Sequence, residues 1–204
     1  MELYRIETCG SVRGCPQAVA DCREITELIE EVFGEVDFIS RRLKQLGGEF
    51  KQHQIFRAAL AGCPNCCSQP QIKDFALIAK SLPRFEGQKC TSCGRCCEVC
   101  RERSLRLESG SLVVQKKLCL GCGECCRVCS QGALTPDRPV WRLQLGGKLG
   151  RHPRLAREIG EVNTTQGIKI LKEVLNLILA DEDPRIRFGD LINKHNDKIS
   201  TDLY

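Results

Sequence analysis

Two runs of cysteine with the same internal spacing, set 29 residues apart, constrain this chain more than any other feature of it. Cys90, Cys93, Cys96 and Cys100 read C-x2-C-x2-C-x3-C, and Cys119, Cys122, Cys125 and Cys129 read the same. Each run carries one extra cysteine at the matched place, Cys97 and Cys126. Thiols at this density are held by metal or by disulfides. The first residues, Met1 to Glu7, form no basic and apolar leader, which predicts a reducing, cytoplasmic setting and favours metal. Structural zinc takes two separated C-x2-C pairs closed on one tetrahedron, so tandem triplets with a fourth cysteine suit it poorly. A cubane iron–sulfur cluster suits them better. Three closely spaced thiolates wrap one cluster and the fourth reaches the other. That arrangement assigns Cys90, Cys93, Cys96 and Cys129 to one 4Fe–4S cluster and Cys119, Cys122, Cys125 and Cys100 to a second. Cys97 and Cys126 are read as small apolar fillers beside them.

Four further cysteines form two spaced pairs, Cys9 with Cys15 (C-x5-C) and Cys63 with Cys67 (C-x3-C). Cys22 and Cys66 remain, and packing is the default reading for both. A length of 204 residues allows one domain, or one domain carrying a small insertion. With 42% apolar and 28% charged residues the chain can build a core and is not broadly disordered. Lysine and arginine outnumber aspartate and glutamate by 31 to 26, too small an excess to indicate nucleic acid. No run reaches the ~18 apolar residues that a membrane span requires.

The patterning divides the sequence into residues 1–85, 86–138 and 139–204. Leu3 to Glu7 alternates as a strand leading into Cys9, and Asp21 to Phe33 repeats apolar residues at helical spacing. Ile55 to Leu60 and Ile72 to Ala79 are short apolar runs that predict strands, the first ending in the tight loop Ala61-Gly62-Cys63-Pro64-Asn65. Val140 to Leu145 alternates as a strand before a glycine-rich turn. Thr164 to Leu179 predicts a helix with Ile168, Leu171, Leu175 and Ile178 on one face, and Phe188 to Lys194 a last one. Strands alternating with helices in the two flanking segments predict an α/β layer.

Residues 86–138 resemble the bacterial two-cluster ferredoxin module. Beyond the ligands, Cys129-Ser130-Gln131-Gly132-Ala133-Leu134 fits that family's turn after the fourth cysteine. Arg101 and Ser130 stand where the family usually has proline, which loosens the turn and removes no ligand. The flanking segments resemble the sirohaem-containing sulfite and nitrite reductases. That resemblance rests on the two spaced pairs, on Gly62-Cys63-Pro64-Asn65-Cys66-Cys67 and on Gln71 to Ile78. It extends to the stretch from Gly146-Gly147-Lys148-Leu149-Gly150 through Arg151-His152-Pro153 to Ala156, and to Arg187-Phe188-Gly189-Asp190-Leu191-Ile192. It covers nearly the whole chain, and the inserted module points to the anaerobic and dissimilatory branches.

The fold it implies is an α/β (α+β) nitrite/sulfite reductase haemoprotein-like domain with an inserted ferredoxin-like module carrying two 4Fe–4S clusters. It further implies a third 4Fe–4S cluster on Cys9, Cys15, Cys63 and Cys67, with Cys67 bridging to the sirohaem iron. Arg13, between two of these ligands, is implied beside the cluster or a sirohaem carboxylate, or else is a solvent-facing loop charge. Gly146 and Gly147 let backbone approach sirohaem or a partner chain, or form a plain turn. Arg13, Lys73 and Arg151 are the candidates for gripping an anionic substrate, with Arg5, Arg57 and Lys148 the other basic residues near the motifs. His152 suits a turn hydrogen bond, and His53 and His195 suit the surface.

Eight residues precede Cys9, too few for the half-domain that this family places ahead of it to build the sirohaem pocket. Three readings follow, the third being a scaffold or assembly protein that uses its clusters structurally. In the first the chain is an oxidoreductase subunit, fed by an electron-donor protein, that reduces sulfite or nitrite once a partner subunit or a second copy completes its pocket. In the second it is a non-catalytic electron carrier with three clusters and no sirohaem.

Overall fold

Alternating apolar residues in short runs make strands here, and apolar residues three and four apart make helices. The structure, a computed structural model, describes residues 3–194. Strand β1 (Tyr4–Thr8) is followed by helices α1 (Arg23–Glu35) and α2 (Phe38–Gln45), then by strands β2 (Phe56–Ala61) and β3 (Phe75–Lys80). A lobe of small elements comes next: β4 (Pro83–Phe85), α3 (Arg95–Val99), β5 (Leu105–Glu108), β6 (Ser111–Val114), α4 (Glu124–Arg127) and β7 (Leu134–Pro136). The chain then returns as β8 (Val140–Leu145), β9 (Arg157–Val162), α5 (Thr164–Ala180) and α6 (Phe188–Lys194). No described helix is long and apolar enough to cross a membrane.

The main sheet has the order β1-β2-β3-β8-β9. The first three strands are parallel, and β8 and β9 run antiparallel to their neighbours. Helices lie on one face. In α1 the buried residues Ile25, Ile29, Val32 and Phe33 form a single stripe. In α5 the stripe is Ile170, Leu171, Val174, Leu175 and Ile178, and Asn163 with Gln166 closes a capping box at its start. A Cβ at Gly167 would lie 3.3 Å from Leu77, so α5 sits close on β3. Phe75, Leu77, Leu143 and Leu145 are fully buried in the central strands, each contributing about 1.5–3 kcal/mol of hydrophobic stabilisation. The alternate residues Ala59, Ala61, Ala76 and Ile78 are equally covered. The segment from Gly62 to Asp74 carries the chain back from the end of β2 to the start of β3. Its turn Pro70–Ile72 contacts both strands, and Ser68 Oγ donates to Leu60 O at 2.9 Å.

The small lobe leaves and re-enters the domain through β4 and β7, which pair antiparallel from Pro83↔Pro136 to Phe85↔Leu134. Its core is four buried residues, Leu105, Leu112, Cys125 and Leu134, edged by other cysteines, Phe85 and Val99. A hydrocarbon core of that size does not hold roughly fifty residues by itself.

Candidate metal centres

The parallel pairing of β1 with β2 sets Thr8 opposite Leu60, so the residues after both strands emerge at one sheet end. Cys9 follows β1 and Cys63 follows β2, and Cys9 N–H donates to Leu60 O at 3.2 Å. The turn Gly10–Arg13 and left-handed Gly14 bring the chain back, with Cys15 N–H donating to Gly10 O at 3.2 Å. Cys9 Sγ accepts N–H bonds from Gly62 at 3.2 Å and Ser11 at 3.5 Å. Burial pushes the Cys9 thiol up, but these donors and the Ser11 hydroxyl outweigh it, so its pKa lies below the ordinary thiol value. The thiolate is the ligating form. The charges of Cys9, Cys67 and Cys15 all bear on Cys63, whose thiol is raised by burial against an N–H bond from Asn65. The structure thus places Cys9, Cys15, Cys63 and Cys67 on the loops at one end of two adjacent strands, the other three within electrostatic reach of Cys63, with Cys63 buried and Cys67 exposed.

Gly62 is the backbone keystone of this corner. A Cβ there would lie 2.5 Å from both Ala20 O and Ser11 Cβ. Its carbonyl accepts the N–H groups of Val19 at 2.7 Å and Ala20 at 3.2 Å, which fastens the segment after Cys15 to the second pair. Cys22 is fully buried against this corner, its thiol pushed up to about 11 by burial. Cys66 is raised by burial against a hydrogen bond with Gln71.

In the small lobe Cys90, Cys93, Cys96 and Cys129 line one small cavity of about 30 Å³, walled by Leu112 and Leu134. Burial and the neighbouring Cys97 push the Cys96 thiol up to about 12. The second set is joined through Ser104, which is buried. Ser104 N–H donates to Cys100 Sγ at 3.3 Å, its hydroxyl lies 3.2 Å from that sulfur, and the same hydroxyl bonds Cys119. Burial raises the Cys119 thiol; an N–H bond from Gly121 opposes this, and Cys125 and Cys122 add to the raising. A hydrogen bond with Cys126, then burial, raises Cys125, and the same bond lowers Cys126. Among the described residues no three His, Cys, Asp or Glu side chains close on a single metal ion.

The second run also forms the seam with the main domain. Ser81 N–H, just past β3, donates to Gly121 O at 2.9 Å, and Ser81 pairs with Cys122 in an isolated bridge. One Arg127 nitrogen donates at 2.9 Å each to Gln17 Oε1, Cys122 O and Glu124. A Cβ at Gly123 would lie 3.1 Å from Val19. The loop of Cys119–Cys125 therefore rests on the Gln17–Val19 segment that follows Cys15. The cavity of the first run is lined by residues between Phe85 and Leu134 only.

The family described as the nitrite and sulphite reductase 4Fe-4S domain matches residues 3–195. The chain belongs to that family. It is therefore an iron–sulfur domain of the sulfite and nitrite reductase type. It is 32% identical over 143 residues to the coenzyme F420-dependent sulfite reductase of Methanocaldococcus jannaschii, covering 70% of this chain and 21% of that protein. It is 32% identical over 166 residues to one of the subunits of the anaerobic sulfite reductase of Salmonella typhimurium, covering 76% of this chain and 48% of that protein. The chain thus spans less than half the length of either relative. A crystal structure of dissimilatory sulfite reductase I shares the fold, with TM-score 0.61 and 16% identity over 94% of this chain and 49% of that one.

Within this reductase-type domain the other sequence candidates fall in different places. Arg13 ends the turn between Cys9 and Cys15 and is exposed. Lys73 is buried and its Nζ lies 2.6 Å from Glu7 Oε2, so its charge is already engaged by the domain. Arg151 and His152 are exposed on the hairpin closed by Lys148 and Arg154, which both bind Asp190. Gly146 and Gly147 allow close approach to the chain itself. Cβ atoms there would lie 3.2 Å from Gly189 Cα and 2.5 Å from Gln71 O, at the sheet end remote from Cys9 and Cys63. His53 is exposed, and His195 lies outside the described residues. Sequence reasoning did not single out Ser11, Ser104 or the donor role of Gly62, whose parts are set by contacts between distant segments.

Proposed function

We propose that the chain is the iron–sulfur part of an enzyme that reduces sulfite or nitrite. Residues 86–138 form an inserted ferredoxin-like module between the two parts of the reductase domain, 1–85 and 139–204. The ligand sets are Cys90, Cys93, Cys96 and Cys129; Cys119, Cys122, Cys125 and Cys100; and Cys9, Cys15, Cys63 and Cys67, with Cys67 the bridge to sirohaem. The observation that carries this reading is the corner of Cys9, Cys15, Cys63 and Cys67, with the Cys119–Cys125 loop seated against it. When bound, the clusters would supply one-electron carriers at the Cys90 set, the Cys119 set and the Cys9 corner, and sirohaem held beside Cys67 would supply an iron for the six-electron reduction of sulfite or nitrite.

The residues of the chain set up that chemistry. The N–H groups of Gly62 and Ser11 stabilise negative charge on Cys9 Sγ, which favours ligation and raises the potential of whatever metal it holds. Ser104 does the same for Cys100. Arg127, gripping Gln17 and Cys122 O, fixes the spacing across the seam. Cys67 is exposed, so its outer side is available to a group shared with a partner subunit or a second copy. Arg13 is the exposed cation among the candidates that stands at the cysteine corner and can meet an anion there, whereas Arg151 lies on the hairpin at the other end of the sheet; an electron-donor protein feeds the Cys90 set.

Anaerobically purified protein is expected to carry about twelve iron and about twelve acid-labile sulfide per chain. Bound sirohaem adds sharp Soret and red bands, and reduced viologen is then oxidised on adding sulfite or nitrite. Clusters with only a broad brown shoulder would make the chain an electron carrier instead. Zinc in place of iron would overturn the reading altogether.

A further inference from the structure

At the opposite end of the sheet from the cysteine corner lies a cavity of about 270 Å³. Five residue steps along β2 separate Arg57 on its lining from Gly62, about 17 Å of strand. Arg57 at the start of β2, Arg187 just before α6 and His53 line it, with Ile72 and Leu149 as apolar wall. The acid on its lining is Asp74. That carboxylate is committed to backbone: Oδ2 accepts Arg57 N–H at 2.8 Å, while Asp74 N–H donates to Arg57 O at 2.9 Å. Arg187 is held across the mouth by donating to Leu149 O at 3.2 Å. Among the described residues neither guanidinium has a carboxylate at ion-pair distance. Two guanidiniums around one buried carboxyl leave the cavity with an excess of positive charge and unused donors in a planar fork, which suits an oxyanion.

We propose that this cavity binds a small organic molecule bearing a phosphate or carboxylate group, held between Arg57 and Arg187 with its body against Ile72 and Leu149. The volume exceeds that of a bare oxyanion, and the apolar wall gives the remainder something to touch. The site stands apart from the cysteine centres and does not depend on what they hold. Burial pushes the Asp74 carboxyl up to about 6, against the opposing charges of Arg187, Arg57 and Lys73. Lys73 is paired with Glu7, and His53 is the other titratable group on the lining. Protonation of Asp74 removes the one negative charge, so oxyanion binding tightens as pH falls through about 6.

Titration calorimetry of the metal-loaded protein with glycerol phosphate, succinate and inorganic phosphate tests this. One organic probe should bind at least tenfold more tightly than inorganic phosphate, and which one does so separates a phosphate site from a carboxylate site. Arg57→Gln and Arg187→Gln should each weaken it at least tenfold, while Arg187→Lys weakens it less. Asp74→Asn should bind more tightly at pH 7.5, and the ratio of its affinity to that of the wild type should shrink towards one as pH falls through about 6, a ratio in which the probe's own titration cancels. Iron and sulfide content should stay unchanged in all four variants, which keeps this result separate from the reductase reading. Absence of binding by all three probes at millimolar concentration between pH 5.5 and 7.5 would overturn the proposal. So would unchanged affinity in the folded arginine variants.

Discussion

The main sheet and the small lobe of residues 83–136 solve the same problem by different means. The sheet buries Phe56, Phe75, Leu77, Leu143 and Leu171 between strands and helices, and a line of aromatics runs from Tyr4 stacked on Phe33 through Phe38 and Phe56 to Phe188. The lobe buries three leucines and a cysteine and surrounds them with thiols. One region is held by hydrocarbon; the other, under the proposed function, depends on the clusters its sulfurs bind. A structural element held by metal folds and unfolds with the metal.

The largest effect follows from stripping iron with a chelator under anaerobic conditions. Amide exchange protection is expected to vanish across β5, β6 and the short helices, while the amides of β2 and β3 stay protected. Simultaneous collapse of both regions would break the contrast. Next comes Leu77→Ala, which leaves a void between β3 and α5 and should cost about 2–5 kcal/mol of whole-domain stability in denaturant titration. The lobe's iron content should not change in that variant under native conditions.

Asp74 offers a third test, confined to the sheet region. Its carboxyl is raised to about 6 by burial, so the folded chain holds the proton more tightly than the unfolded chain does. The contribution of Asp74 to stability is therefore fullest below about pH 4 and is lost as pH rises through about 6, on the order of 3 kcal/mol. Thermal unfolding of wild type against Asp74→Asn between pH 4 and 7.5 measures this, and the variant should lack the slope. The smallest effect is expected at the seam. Arg127 is partly exposed, so Arg127→Ala should cost under about 1 kcal/mol. It should still speed exchange at the Val19 and Ala20 amides that hold Gly62, since the lobe then rests less firmly on that segment.

Much of this architecture was legible in the chain. Val140–Leu145 and Phe188–Lys194 match the elements their patterning predicts, and α5 runs one residue past its predicted end. Helix α2 was not foreseen because Arg41, Arg42 and Lys44 hide its apolar face. Arg42 is itself buried, donating to Pro184 O at 3.0 Å. Strand β9 was missed because it is an edge strand whose residues are mostly exposed or half-buried. The cysteine spacings mark local loops and are visible in the sequence. The hydrogen-bond donors to those sulfurs are not, since Gly62 reaches Cys9 across 53 residues. The Arg57 and Arg187 cavity joins residues 130 apart and has no local signature.

The pairing of Pro83–Phe85 with Leu134–Pro136 means that both ends of the lobe stand a single strand-width apart, about 5 Å. Cutting the lobe out and joining β4 to β7 through a two-residue hairpin would leave every strand of the main sheet in register. The lobe could then be shortened, exchanged or transplanted as a cartridge, without asking the reductase-type scaffold to refold.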